Sequence, residues 1–96
     1  MATLYTITVS IRALQGMRKI GIFFLGTDTD FAHAVFDSLN GNLALNEDAL
    51  IRIDLENKKE DGTPVRLKSI SCTLNQYAEN CKIITRDVFK YFTLEK

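Results

Sequence analysis

The stretch that most constrains this chain is Ile20 to Gly41, IGIFFLGTDTDFAHAVFDSLNG, an apolar strand that turns sharply into an amphipathic helix. By the period of two, Ile20, Ile22 and Phe24 share one face of the strand, and Gly21, Phe23 and Leu25 the other. A strand apolar on both faces sits centrally in a sheet or has one face covered by something else. Gly26 breaks it. Thr27 then reads as a helix cap with Asp30 three residues on, as in a capping box, and Asp28 and Asp30 suit the positive end of the helix dipole. In the helix, Asp28–Leu39, an apolar stripe of Phe31, Ala34, Val35 and Leu39 is widened by Ala32 and Phe36, with Asp30, His33 and Asp37 opposite. Asn40-Gly41 supplies a left-handed stop.

The flanking sequence supplies partners for this unit. Leu4–Ile11 alternates as a strand with Tyr5, Ile7, Val9 and Ile11 inward. A four-residue link, Ala13–Gly16, makes a hairpin that sets Val9 against Ile20, Ile7 against Ile22 and Tyr5 against Phe24. Leu50–Glu56 is a third strand, with Ile51, Ile53 and Leu55 inward, and Val65–Ile70 is a fourth. Asp61-Gly62 marks their turn, and a three-residue loop, Glu60-Asp61-Gly62, sets Leu55 against Leu67 and Ile53 against Ser69. That register also places Asp54 beside Lys68 and Glu56 beside Arg66. The break in alternation at Ser69-Ile70 suggests a bulge or a strand end. Thr73 with Gln76 forms a regular capping box for a second helix, Leu74–Cys81. Thr85 caps a last helix, Arg86–Leu94, which buries Val88, Phe89 and Phe92; a strand over Val88–Leu94 is the alternative.

The order is ββα twice. Setting each residue against the one 46 further on aligns Leu4 with Leu50, Ile7 with Ile53, Gly16 with Gly62 and Thr27 with Thr73, as an internal duplication would. Shared turn glycines and capping threonines produce the same match in any pair of hairpin-helix units. Both readings give an α+β fold, with two ββα units forming a four-stranded antiparallel sheet and helices packed on one face. Its 96 residues suit a single domain spanning 1–96.

Twelve basic and twelve acidic residues cancel, so the composition does not advertise a nucleic-acid or anionic-membrane partner. The longest apolar run, Ile20–Leu25, is too short to span a bilayer. The first residues lack the basic and apolar regions of a signal peptide. A cytoplasmic protein is expected, with Cys72 and Cys81 reduced.

The sequence assembles no convergent catalytic set. Asp28-x-Asp30 after a strand suits metal-dependent phosphoryl chemistry, but capping accounts for both aspartates. Asp30, His33 and Asp37 line one helical face, where a solvated surface explains them without a metal. Cys81 with His33 would make a nucleophile pair, yet nothing legible orients it. We therefore expect no cofactor and no enzyme activity. The leading expectation is a protein-interaction or assembly module. Its surface is centred on Phe23 and Leu25, with Leu4 nearby, and a homodimer or another protein covers it. The alternative for that face is cover by the chain's own Phe89, Tyr91 or Phe92. Other function classes are a nucleic-acid accessory domain using Arg12, Arg18 and Lys19, and a ligand binder or small enzyme with a pocket under the loop Gly41–Asp48.

Overall fold

The computed structural model describes residues 3–44 and 49–94. Strands β1 (Leu4–Ala13) and β2 (Gly16–Gly26) form a hairpin, and helix α1 (Thr29–Asp37) follows. Strands β3 (Ile51–Lys58) and β4 (Pro64–Cys72) form the second hairpin, followed by helix α2 (Leu74–Phe89) and a π-helical turn (Lys90–Leu94). The fold is the expected α+β arrangement of two ββα units around one four-stranded antiparallel sheet, in the order β2-β1-β3-β4. Both helices bury side chains against the same sheet face. Ala32, Val35 and Phe36 from α1 and Ile84 from α2 join Ile7, Val9, Leu25, Ile51, Ile53, Leu55 and Ile70 in one core. Each such side chain contributes about 1.5–3 kcal/mol on burial.

The two hairpins sit back to back. β1 pairs with β3 so that Thr8 faces Asp54, residues that the 46-residue offset makes equivalent. A pseudo-two-fold axis normal to the sheet therefore passes between them. One irregularity in each hairpin obeys the same relation, between Val9 and Ser10 in the first and between Leu55 and Glu56 in the second; a further shift between Tyr5 and Thr6 has no counterpart in the second.

Those shifts correct the expected registers. At the first turn the expected pairing holds, with Ala13 opposite Gly16 and Ser10 opposite Lys19. Ile20 is then an extra residue, and beyond it Val9 faces Gly21 and Ile7 faces Phe23. A one-residue bulge exchanges the faces of the residues that follow, and a second shift between Tyr5 and Thr6 leaves Leu25 extra, with Gly26 opposite Tyr5. Leu25 thus lies in the core, Phe23 packs against it, and Ile20, Ile22 and Phe24 face away from the helices. The second hairpin behaves alike. Its three-residue loop forms as expected, closed by the Lys59 N–H donating to the Thr63 carbonyl and the Gly62 N–H to the Lys59 carbonyl, with Gly62 at φ +84°. Glu56 faces Arg66, but Leu67 is then extra and Leu55 faces Lys68. Asp54 and Lys68 therefore lie on opposite sheet faces. Lys68 pairs instead with Asp37 of α1 at 2.8 Å.

The helix ends also differ from expectation. Asp28, not Thr27, caps α1, accepting from Phe31 N–H at 3.1 Å. That bond, followed by one from the Tyr91 hydroxyl, holds the Asp28 carboxyl below its ordinary range. The cap is therefore strongest above the unfolded carboxylate range and weakens as pH falls through the lowered folded value. α1 ends at Asp37 with Ser38 in the right-handed region, so no left-handed stop occurs at Asn40-Gly41. Gly41 serves closeness instead, since a Cβ there would lie 2.8 Å from the Ser71 carbonyl oxygen. That approach lets Asn42 exchange two backbone bonds with Ser71 at the edge of β4. Thr73 and Gln76 make both halves of the expected capping box. α2 then runs unbroken to Phe89, so Thr85 is an interior helical residue rather than a cap. Helix, not strand, fills the C-terminal segment.

Candidate interaction surface

The face of the sheet away from the helices divides into two regions of opposite character. Over β1, β3 and β4 it is polar and closed. Thr8 and Asp54, both only 2% exposed, occupy its centre with Thr6, Ser10 and Ser71. No helix covers them; neighbouring side chains do. Thr8 Oγ1 donates to Glu56 Oε1 at 2.8 Å, Arg52 Nε lies 3.2 Å from Asp54 Oδ2, and Ser69 Oγ donates to Asp54 Oδ1. A buried carboxylate tolerates its loss of water only with such partners. Here they occupy both of its oxygens, which holds the group as a structural tie.

Along β2 the same face is apolar and open. Ile20 is 49% exposed, Ile22 44% and Phe24 60%. These are the residues that the unbulged register placed in the core. Leu4, half-buried, shares this face with Thr6 and keeps its expected side. The other expected interaction residues do not: Leu25 has no exposed surface, and Phe23 is partly buried against the core. The signal that could have located the open stripe is Lys19-Ile20. A charge followed by one apolar residue and Gly21 is a place where a strand can take up an extra residue.

The C-terminal aromatics pack elsewhere, on the other side of the sheet. Tyr91 stacks on Phe31 at 4.0 Å, and Phe92 meets Phe31 edge-on at 6.2 Å while lying over Gly26. Phe89 remains exposed on α2. The chain therefore covers the α1 end of β2 and leaves the Ile20–Phe24 stripe open.

The cations of the first hairpin do not gather into one patch. Lys19 faces Ser10 and Arg12 faces Met17, on the helix-free side, whereas Arg18 faces Ile11 on the side of the core. The candidate catalytic groups are also dispersed. His33 is half-buried, with its ring edge-on to Tyr5 at 6.2 Å. Asp37 is engaged by Lys68, and Cys81 lies beside Tyr77, whose hydroxyl it pushes up in pKa. Burial raises the Cys72 thiol above its ordinary value, which keeps it protonated and poorly nucleophilic. Among the described residues, no three His, Cys, Asp or Glu side chains group as metal ligands. Residues 45–48 of the loop expected to roof a pocket lie outside the described residues. Among the described residues, one groove beside that loop is lined by Asn42, Leu50, Cys72 and Gln76, and another by Phe36, Leu39, Leu43 and Ile70 with the Asp37–Lys68 ion pair at its rim.

His33→Ala is expected to cost no more than about 1 kcal/mol, the size of an edge-on aromatic contact, in urea unfolding. A larger loss would show that the ring carries more than its contact with Tyr5. No helix is long and apolar enough to cross a membrane among the described residues. No protein-family model, no curated protein and no solved structure matches this chain.

Proposed function

We propose that this chain is a non-enzymatic protein-interaction or assembly module of the cytoplasm, and that it docks through the helix-free side of β2. The observation that carries the reading is the open stripe of Ile20, Ile22 and Phe24 beside a polar network that is already satisfied. Large apolar side chains on a strand lose free energy to water, and a contiguous set of them marks a surface that another molecule covers. An aromatic flanked by aliphatics is also the composition that anchors protein interfaces. The dispersal of Arg12, Arg18 and Lys19 over two faces supports protein over nucleic acid as the occupant.

The test is a photoreactive phenylalanine analogue placed at Phe24 and activated in the producing cell. A covalent adduct with protein is expected. Nucleic-acid adducts, or none above the level of the same probe at exposed Leu14, would overturn the reading.

A further inference from the structure

We propose that β2 pairs edge to edge with β2 of a second copy of this chain, antiparallel about a two-fold axis at Phe23, so that two four-stranded sheets become one continuous sheet. The inference rests on the interaction reading above and names its partner. Its first support is the sheet order, which among the described residues leaves β2 at an edge with one side of its backbone without a strand partner along Gly16–Gly26. Such a row of free N–H and C=O groups is a template for another strand. The other edge, β4, is already engaged at Ser71 by Asn42.

The second support is the pattern of side chains along β2. Antiparallel pairing about Phe23 sets Ile22 of each copy beside Phe24 of the other, on the open face. It turns two isolated apolar stripes into one shared cluster of cross-strand pairs. Gly21 then falls opposite Leu25. Nothing lies within 4 Å of a Cβ built at Gly21, and Leu25 already points into its own core, so that pair brings no steric conflict.

The third support is charge, and it selects a second copy over an unrelated strand. Arg18 and Lys19 stand at one end of β2, and Asp28 and Asp30 follow its other end. All four are exposed, and none belongs to a salt bridge among the described residues. Antiparallel pairing brings the basic end of each copy alongside the acidic end of the other; parallel pairing would set like against like. The stretch thus carries its own electrostatic complement. The irregularities at Ile20 and Leu25 and the charge at Lys19 confine the regular pairing to the centre of the strand, around Ile22, Phe23 and Phe24, which suits a closed dimer rather than an open stack.

The experiment measures solution mass by sedimentation for the full chain and for Phe24→Lys. It then follows disulfide formation in a Cys81→Ser background, with Ile22→Cys and Phe24→Cys chains alone and mixed. The expected result is a wild-type dimer that salt weakens, and a Phe24→Lys chain that keeps its circular dichroism and associates at least about tenfold more weakly. Mixed chains should cross-link about tenfold faster than either alone, because only opposed residues bring their Cβ atoms within about 5.5 Å. A dimer that survives Phe24→Lys overturns the proposal. So does one whose chains cross-link equally fast unmixed, whether or not Phe24→Lys folds. A monomeric wild type with a photo-adduct to a different protein overturns self-pairing and leaves the interaction reading intact. A monomer with no protein adduct overturns both.

Discussion

Leu25→Ser is expected to destabilise the chain by about 3–5 kcal/mol, and Phe24→Ser, one residue away, by less than about 1 kcal/mol. Both are apolar residues of the same strand, and side-chain size alone predicts the opposite order. Leu25 has no exposed surface and packs in the core, whereas Phe24 is 60% exposed on the helix-free face. Removing Leu25 leaves a cavity in the core and places a hydroxyl where no water reaches. A chain of this size has a total stability of about 5–15 kcal/mol, so the first variant loses a large share of it. Urea unfolding midpoints, taken at a dilution where the chain is monomeric so that any dimer contact of Phe24 does not enter, decide the matter. Equal losses at the two positions would mean that the bulge at Ile20 is absent and that the unbulged register holds.

That bulge marks the boundary of what the amino-acid sequence reveals. The alternation Tyr5-Ile7-Val9-Ile11 and Ile51-Ile53-Leu55 is unambiguous, because β1 and β3 are central and each has one apolar and one polar face. β2 is apolar on both faces from Ile20 to Leu25, so its alternation alone gives no sign of which set faces the core. The turn fixes the register only as far as the next irregularity. β4 fails in the same way at Leu67, where Arg66, Leu67 and Lys68 break any clean alternation. In both hairpins the central strand is legible and the edge strand is not. Edge strands are also where bulges concentrate. The candidate surface inherits this: the idea of an apolar stripe on β2 was available from the sequence, but its membership passed from Phe23 and Leu25 to Ile20, Ile22 and Phe24.

Helix ends show a second kind of limit. Thr73-x-x-Gln76 announces its capping box, and the structure contains it. Thr27-Asp28-Thr29 offers three residues able to cap, and the choice of Asp28 depends on a partner distant in sequence, Tyr91, whose hydroxyl donates to the same carboxylate at 2.7 Å. The run of α2 through Thr85 has a related origin. Ile84 buries in the core on the turn before Val88 packs against it, and that spacing keeps one apolar stripe in register across a residue that would suit a cap.

The residue that sequence reading passed over altogether is Asn80. It is fully buried on α2. Its Oδ1 accepts from the Asn40 N–H at 2.8 Å, its Nδ2 donates to the Asn40 carbonyl at 2.8 Å, and the same Nδ2 lies 3.4 Å from Cys72 Sγ. One amide thus satisfies both backbone groups of the residue that leads out of α1, and it ties the second ββα unit to the first. Asn80→Ala removes the amide from both backbone groups of Asn40 and leaves its carbonyl only the Cys72 thiol at 3.5 Å, and a loss of about 1–3 kcal/mol is expected. Asn80→Asp distinguishes hydrogen bonding from packing, because its volume is nearly unchanged. Its carboxylate still accepts from Asn40 N–H but faces the Asn40 carbonyl with no proton to donate. Burial and that carbonyl raise the folded-state pKa above the unfolded value of about 3.9. The folded state then binds more protons, so stability falls as pH rises from about 4 towards the raised folded value. Urea unfolding of Asn80→Asp across that range should show the decline, with the wild type as reference. An Asn80→Asp chain as stable as wild type at neutral pH would mean that the amide donates nothing the fold needs, and that Asn80 only fills space between α2 and the end of α1.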